Sequence, residues 1–348
     1  MQRRKGFFDQ LGPGLITGAA DDDPSGIATF SVTGASFGYG PLWTALFLFP
    51  LMLGVQLMCA RLGLVTGRGL AAVIRRRYSR PVLWFACTLL TLANVINLGA
   101  DLGGMGDATR MVAGGNAIAW TLMYGALILA LLFWTSYRQI ARIFKWLTLV
   151  LFAYVITAFL ARPDWGAVLR ATFVPDIRWS RDFLAVLVGL LGTNISPYLF
   201  FWQSAQEVEE ERSMGRVTVK QRQGATDEEL HDSRNDVATG MFFSNFVMYF
   251  IILTTAATLH AHGVTHIETA RQAAEALRPL AGAGAYWLFT LGLIGTGMLG
   301  VPVLAGSSAY AISEAMAWGA SLDKKPNKAP GFYAVLAAAM VVGLCLVY

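Results

Sequence analysis

Apolar runs long enough to cross a bilayer recur along most of the 348 residues, and charged residues gather in the short stretches between them. A bilayer core needs about 20 apolar helical residues. On that spacing the pattern predicts nine spans, near 11–37, 42–64, 82–112, 117–135, 143–161, 183–206, 237–259, 285–317 and 331–348. Two are interrupted. The first is cut by Asp21, Asp22, Asp23 and Pro24, the sixth by Asn194-Ile195-Ser196-Pro197. An Asp at the centre of a lipid-facing helix costs about 2.5–3.5 kcal/mol, so three in a row exclude an ordinary lipid-facing first span. Its carboxylates must face protein or water, and Pro24 with Gly26 frees backbone groups that need partners.

A helix broken at membrane depth and lined with acids is a cation site. The plainer alternative is a water-exposed turn between two short helices. A calcium loop is rejected, because its twelfth position would be Val32 and Pro24 interrupts it. The position of the second break favours the cation site. The broken spans lie five apart and therefore cross in opposite directions, the sign of an inverted repeat whose two breaks meet at mid-bilayer. The expected architecture is an all-α polytopic membrane protein with an inverted-repeat (LeuT/APC-type) transporter fold and broken helices 1 and 6. It forms a single transmembrane domain over 1–348, with a first repeat at about 11–161 and a second at about 183–348.

Composition agrees with this picture: 55% of residues are hydrophobic and 14% charged, and the mean hydropathy is +0.51. A net charge of +5 could suggest nucleic acid, but the basic residues sit in loops after every second span: Arg3-Arg4-Lys5, Arg75-Arg76-Arg77 with Arg80, Arg138 with Arg142 and Lys145, and Lys324-Lys325 with Lys328. The positive-inside rule makes these cytoplasmic, which places the N-terminus inside; the expected location is the plasma membrane. The segment 207–236, mixed in sign and carrying Glu209-Glu210-Glu211, is expected to be a solvated cytoplasmic connector whose acids could attract the transported cation. Cys59, Cys87 and Cys345 have neither disulfide nor zinc spacing and read as packing residues. The start MQRRKGFF lacks a clean apolar region and cleavage site, so no cleavable signal is expected.

At Gly12-Pro13-Gly14, FGYGPLW (37–43), ARLGLVTGRGL (60–70) and the sixth and seventh spans, the chain resembles the Nramp family of proton-coupled divalent-metal transporters. The family's first-helix signature Asp-Pro-Gly-Asn corresponds to Asp23-Pro24-Ser25-Gly26, and its sixth-helix signature Met-Pro-His-Asn to Ser196-Pro197-Tyr198-Leu199. The resemblance implies that Asp23 is the metal carboxylate and that Ala20 and Thr193 offer carbonyls to the ion. It also implies that Asn245 contributes from the seventh helix. The family's Asn position holds Gly26 and its thioether position Ser196. Losing a soft sulfur removes discrimination against hard ions, and a wetter site with one assured carboxylate suits magnesium or manganese. The chain looks closest to the Nramp-related magnesium transporter branch. Asp101 stands at the family's proton-accepting position, but the next expected acid is Gly104, and Tyr198 and Gln203 replace two histidines. Proton coupling is therefore expected to be weak or absent. Asp21, Asp22 and Asn194 are further pathway candidates. In the family a tenth helix follows, so a chain ending inside the ninth span reads as a fragment, lacking helices 10 and 11.

Other groups carry less. His260, His262 and His266 could form a surface zinc site but read more simply as loop histidines; Asp107 and Arg110 could pair on one helix face; Glu314 could be paired or snorkelling. No HExxH or GxSxG motif occurs, so no enzyme is indicated. No cofactor, nucleic acid or obligatory protein partner is implied; the partners are a divalent metal ion and the lipid bilayer. The alternatives are an ordinary proton-coupled manganese or iron importer of Nramp type and an amino-acid or other organic-solute transporter of the same fold, which the Asp21-Asp22-Asp23 cluster disfavours because it repels a carboxylate.

Overall fold

The computed structural model describes residues 12–135, 139, 152–322 and 324–347. The loop cations at 3–5, 138, 142 and 145 and the first part of the fifth span lie outside the described residues.

The first span is two half-helices, α1 (Pro13–Asp21) and α2 (Pro24–Phe37). A 3-10 turn at Gly40–Trp43 leads into α3 (Thr44–Thr66), then α4 (Leu70–Arg77), α5 (Arg80–Ala113) and α6 (Ala117–Trp134). After α7 (Phe152–Leu160) and α8 (Trp165–Phe173), the sixth span is again two half-helices, α9 (Arg181–Asn194) and α10 (Pro197–Ser213). The chain continues through α11 (Asp227–Thr258), α12 (Ala270–Ala315) and α13 (Pro330–Val347). Among the described residues seven segments are long and apolar enough to cross a membrane. Beside these lie the broken first span, whose halves have 9 and 14 residues, and α7, whose preceding residues are not described.

Both breaks have the same local cause. Asp22 (φ −85°, ψ 51°) and Ile195 (φ −108°, ψ 56°) leave the helix, and Asp23 (ψ 166°) and Ser196 (ψ 124°) are extended. A proline follows each, at the first position of the next half-helix, where its missing N–H costs nothing. The residue before a proline is pushed out of the α region, which sets the extended residue.

The broken first span is held against α11 at backbone contact. A Cβ on Gly14 would fall 2.5 Å from the Val237 nitrogen, and one on Gly18 would overlap the Gly240 carbonyl, so only glycine allows this approach. Asp236 of α11 also accepts hydrogen bonds from the backbone N–H groups of Gly12 (2.8 Å), Gly14 (2.6 Å) and Leu15 (3.1 Å), capping the free donors of α1. The span within α12 is the central post, 78% buried against 33% for that within α5. On α5, Phe85, Leu89, Leu92 and Ile96 recur at helical spacing and are exposed, forming an apolar stripe suited to lipid.

Parts of the segment 207–236 are buried, while most of its middle, from Met214 to Glu228, is exposed. Here α10 runs on to Ser213 and α11 begins at Asp227 behind a Thr226–Glu229 capping box. Glu207, Glu209, Glu211 and Asp236 are all buried. Glu209 and Glu211 are compensated by cations, whereas Glu207 and Asp236 accept neutral hydrogen bonds only. Glu209 accepts from Arg212 (2.8 Å), Tyr310 (3.1 Å) and Ser321 (2.9 Å), and Glu211 pairs with Arg216 (3.2 Å), which also binds Glu229.

Smaller expectations resolve locally. Asp107 lies 3.8 Å from Arg271 of α12, which takes the place of Arg110 as its cation. Glu314 accepts from the Ala72 N–H (3.2 Å) near the start of α4. His260 and His262 each place Nδ1 on a backbone carbonyl, of Ala35 (2.8 Å) and Thr258 (2.7 Å). Among the described residues no group of three or more His, Cys, Asp or Glu is placed to hold a metal, which removes the zinc reading.

Candidate functional site

Asp23 caps its own half-helix. Its Oδ1 accepts from the Gly26 N–H (2.7 Å) and the Ser25 hydroxyl (2.7 Å), so the backbone of α2 aims the carboxylate into the break. The other oxygen, Oδ2, accepts from the Tyr198 hydroxyl at 3.2 Å, and the same hydroxyl lies 3.0 Å from the Ala20 carbonyl. Tyr198 thus spans from the sixth-span break to both sides of the first. The two breaks meet directly: a Cβ on Gly26 would lie 3.0 Å from Thr193 Cγ2, 3.2 Å from Asp23 Oδ1 and 3.3 Å from the Asp21 carbonyl. A side chain at position 26 would therefore enter the junction, and glycine leaves that space open.

Asp101 reaches the junction from α5. Its Oδ1 accepts the Ser25 N–H (2.9 Å), a second cap for α2, while its Oδ2 is buried without a partner. Gly300 of α12 closes this side; a Cβ there would fall 2.8 Å from Asp23 Cβ and 3.6 Å from Asp101 Oδ2. Only glycine lets α12 come this close to the break.

The remaining residues divide. Asp21 turns to α11, where Ser244 donates to its Oδ2 at 2.6 Å, and its Oδ1 has no partner. Asp22 is fully buried and neither oxygen has a hydrogen-bond partner. The three consecutive acids thus do not converge on one atom, because only Asp23 is extended while Asp21 is still helical. Ser196 spends its hydroxyl on the carbonyls of Gly192 (2.9 Å) and Thr193 (2.6 Å), so the Thr193 carbonyl already has a donor. Asn194 donates to Leu190 O (2.9 Å) and to Met248 Sδ (3.1 Å). Asn245 has a buried, unpartnered Oδ1, and its neighbour Ser244 is the α11 residue that donates to Asp21. Gln203 binds Glu207 (2.9 Å), more than a helical turn along α10 from Tyr198. Ser25, Ser244 and Gly300 were not singled out from the sequence. For Ser25 the signal was its place just after Asp-Pro; for the other two only packing reveals a role.

Asp21, Asp22, Asp23 and Asp101 are all buried, and among the described residues no ion pair involves any of them. Unpaired buried carboxylates are strongly disfavoured without a compensating charge. The donors assembled at the junction are carboxylate, carbonyl and hydroxyl oxygens.

Two broken helices meeting head to head inside a helical membrane domain define an inverted-repeat transporter. Residues 14–348 match the family model described as "Natural resistance-associated macrophage protein-like", and the chain belongs to this Nramp family. It is 30% identical over 301 residues to the divalent metal cation transporter MntH of Erwinia tasmaniensis, covering 85% of this chain and 70% of that one. The same identity holds over 306 residues with MntH of Aeromonas hydrophila, again with 85% and 70% coverage. Among solved structures, the manganese transporter of Eremococcus coleocola superposes with a TM-score of 0.72 at 17% identity, covering 100% of this chain and 79% of that one. The nucleobase-cation-symport-1 transporter Mhp1 gives 0.67 at 16% identity, with 97% and 71% coverage. At such identities these two speak for the fold alone.

Proposed function

We propose that this protein carries divalent metal cations across the membrane through the junction of its two breaks, with magnesium and manganese favoured over softer metals. The observation that carries the reading is Asp23. It is a buried carboxylate held at a break by its own half-helix, ringed by oxygen donors and by other acids that have no cation. In this reading Asp23 ligates the ion with the carbonyls of Ala20 and Thr193. The hydroxyls of Ser25 and Tyr198 lie within reach of Asp23, Ser196 rotates from its helical bonds when a ligand is needed, and Asn245 serves from α11. Asp21, Asp22, Gly26, Asn194 and Asp101 shape the surroundings. An oxygen-only shell does not select soft ions, and a cation that keeps several waters can be held by one firm carboxylate.

In the same reading proton coupling is weak. A side chain at position 104 would start 3.4 Å from Pro24 Cβ, beside the break, and here it is glycine, so Asp101 has no acid partner there. The two halves, about 11–161 and 183–348, act as the repeats, with the N-terminus cytoplasmic and the protein in the plasma membrane. The second reading, a proton-coupled manganese importer of ordinary Nramp type, is favoured by the MntH relatives. Uptake of Mg2+ and Mn2+ into proteoliposomes, with and without an inward-directed pH gradient, separates the two. Metal accumulation driven by the gradient would support the second, and no Asp23-dependent uptake of either ion would defeat both.

A further inference from the structure

Past Tyr198, α10 continues with a polar face. Gln203, Gln206 and Glu207 fall at i, i+3 and i+4 and so share it. Glu207 is 4% exposed, and its Oε1 accepts from Gln203 Nε2 (2.9 Å) and from the hydroxyl of Ser233 on α11 (2.9 Å). The same Gln203 amide is fully buried and leaves its oxygen without a partner. Gln206, 1% exposed, has neither amide atom partnered. Ser233 also lines a cavity of ≈ 380 Å³ between α3 and α11, so the cluster borders open space at that residue. The cavity wall is mixed in sign, with Asp227 beside Arg61 and Arg234, and offers access more than affinity. At 1.5 Å per residue, Glu207 lies about 14 Å along α10 from Tyr198.

A hydrogen-bonded clip pinning α10 to α11 would account for Gln203 Nε2 and Ser233. It leaves unexplained a bare amide oxygen on Gln203 and two bare atoms on Gln206, each of which forfeits its bonds to water in such a place. The two amide oxygens among those atoms, Gln203 Oε1 and Gln206 Oε1, are the electron-pair donors a cation would use. We infer that Glu207, with the amide oxygens of Gln203 and Gln206 and the Ser233 hydroxyl, forms a second and weaker subsite for the transported divalent cation, between the junction and the cavity at the α3–α11 end. The inference rests on the transport reading above. A turn of the Gln203 amide brings its oxygen toward the ion that Glu207 attracts, and Ser233 rotates to offer a lone pair. With one carboxylate and neutral oxygens the subsite suits a cation that keeps several waters, held loosely enough to move on.

Calorimetric titration of the full chain with Mg2+ and with Mn2+ tests this, together with Mn2+ uptake in proteoliposomes. Two binding events are expected in the wild type. Asp23→Asn removes the tighter one. Glu207→Gln, which keeps an acceptor for Gln203 and Ser233, removes the weaker, leaves the tighter within about twofold and lowers initial uptake about tenfold; Glu207→Asp restores most of it. A single event in the wild type, or Glu207→Gln uptake equal to wild type while Asp23→Asn abolishes it, overturns the second subsite alone. Loss of both events in Glu207→Gln with a lowered melting midpoint also overturns it, by making Glu207 a structural clip. Asp23→Asn behaving as wild type counts instead against the junction itself.

Discussion

The two breaks are built alike and used differently. Each has a residue that leaves the helix, an extended residue, and a proline that starts the next half-helix. In the first break the extended residue is Asp23, whose side chain points forward to cap α2 and still offers Oδ2 across the junction. In the second it is Ser196, whose hydroxyl points backward and closes the freed carbonyls of α9. One break exposes charge and the other satisfies its own backbone. The difference shows that the same backbone rupture can leave its polar groups differently used: the side chain at the extended position decides whether a carboxylate oxygen is offered across the junction or the freed carbonyls are closed locally.

The largest effect expected on that contrast comes from Asp23→Ala. Loss of the carboxylate should weaken Mn2+ and Mg2+ binding by about 100-fold or more and bring uptake to background; unchanged calorimetric affinity would take Asp23 out of the site. Gly300→Val should come next, because its Cβ would sit 2.8 Å from Asp23 Cβ and displace the break. We expect uptake reduced about tenfold while the protein still folds, the overpacking costing about 1–3 kcal/mol. Size-exclusion profiles and melting curves beside uptake check it, and wild-type transport would show that α12 yields there.

Ser196→Met would give the second break a donor of its own and free the Thr193 carbonyl. Competition by Cd2+ against Mn2+ should improve by about threefold to tenfold, and no gain would mean that position 196 faces away from the ion. The smallest change is expected from Tyr198→Phe. The Tyr198 hydroxyl occupies both Asp23 Oδ2 and the Ala20 carbonyl, so its removal should cost about 1 kcal/mol of stability and raise cation affinity a few fold by vacating those oxygens. A drop in affinity would instead make the hydroxyl a ligand.

Much of this was legible in the residue string. The spans, the two ruptures and the presence of acids at the first follow from hydropathy and from proline beside acids, because a bilayer tolerates neither charge nor free backbone without a reason, whereas the choice of Asp23 among the three acids came from the family resemblance. The fate of the acids was not legible. Asp21, Asp22 and Asp23 are chemically identical neighbours, yet one binds Ser244, one has no hydrogen-bond partner and one meets Tyr198. The direction of each depends on one residue's φ and ψ and on which helix stands opposite. Glu209-Glu210-Glu211 misled in the same way, since charge in a row signals water unless partners supply the compensation, here the neighbouring Arg212 and the distant Tyr310 and Ser321 around Glu209.

By itself, then, the sequence determined what depends on composition and local stereochemistry: a polytopic helical membrane protein, where its helices break, and that a carboxylate stands at one break. Only the tertiary structure decided which oxygens that carboxylate shares, that Asp101 and Gly300 close the junction around it, and that Asp236 ties the first half-helix to α11. Those contacts join residues as distant along the chain as Asp23 and Gly300. They are set by how closely glycine faces allow helices to approach, and hydropathy read along a chain has no access to that distance.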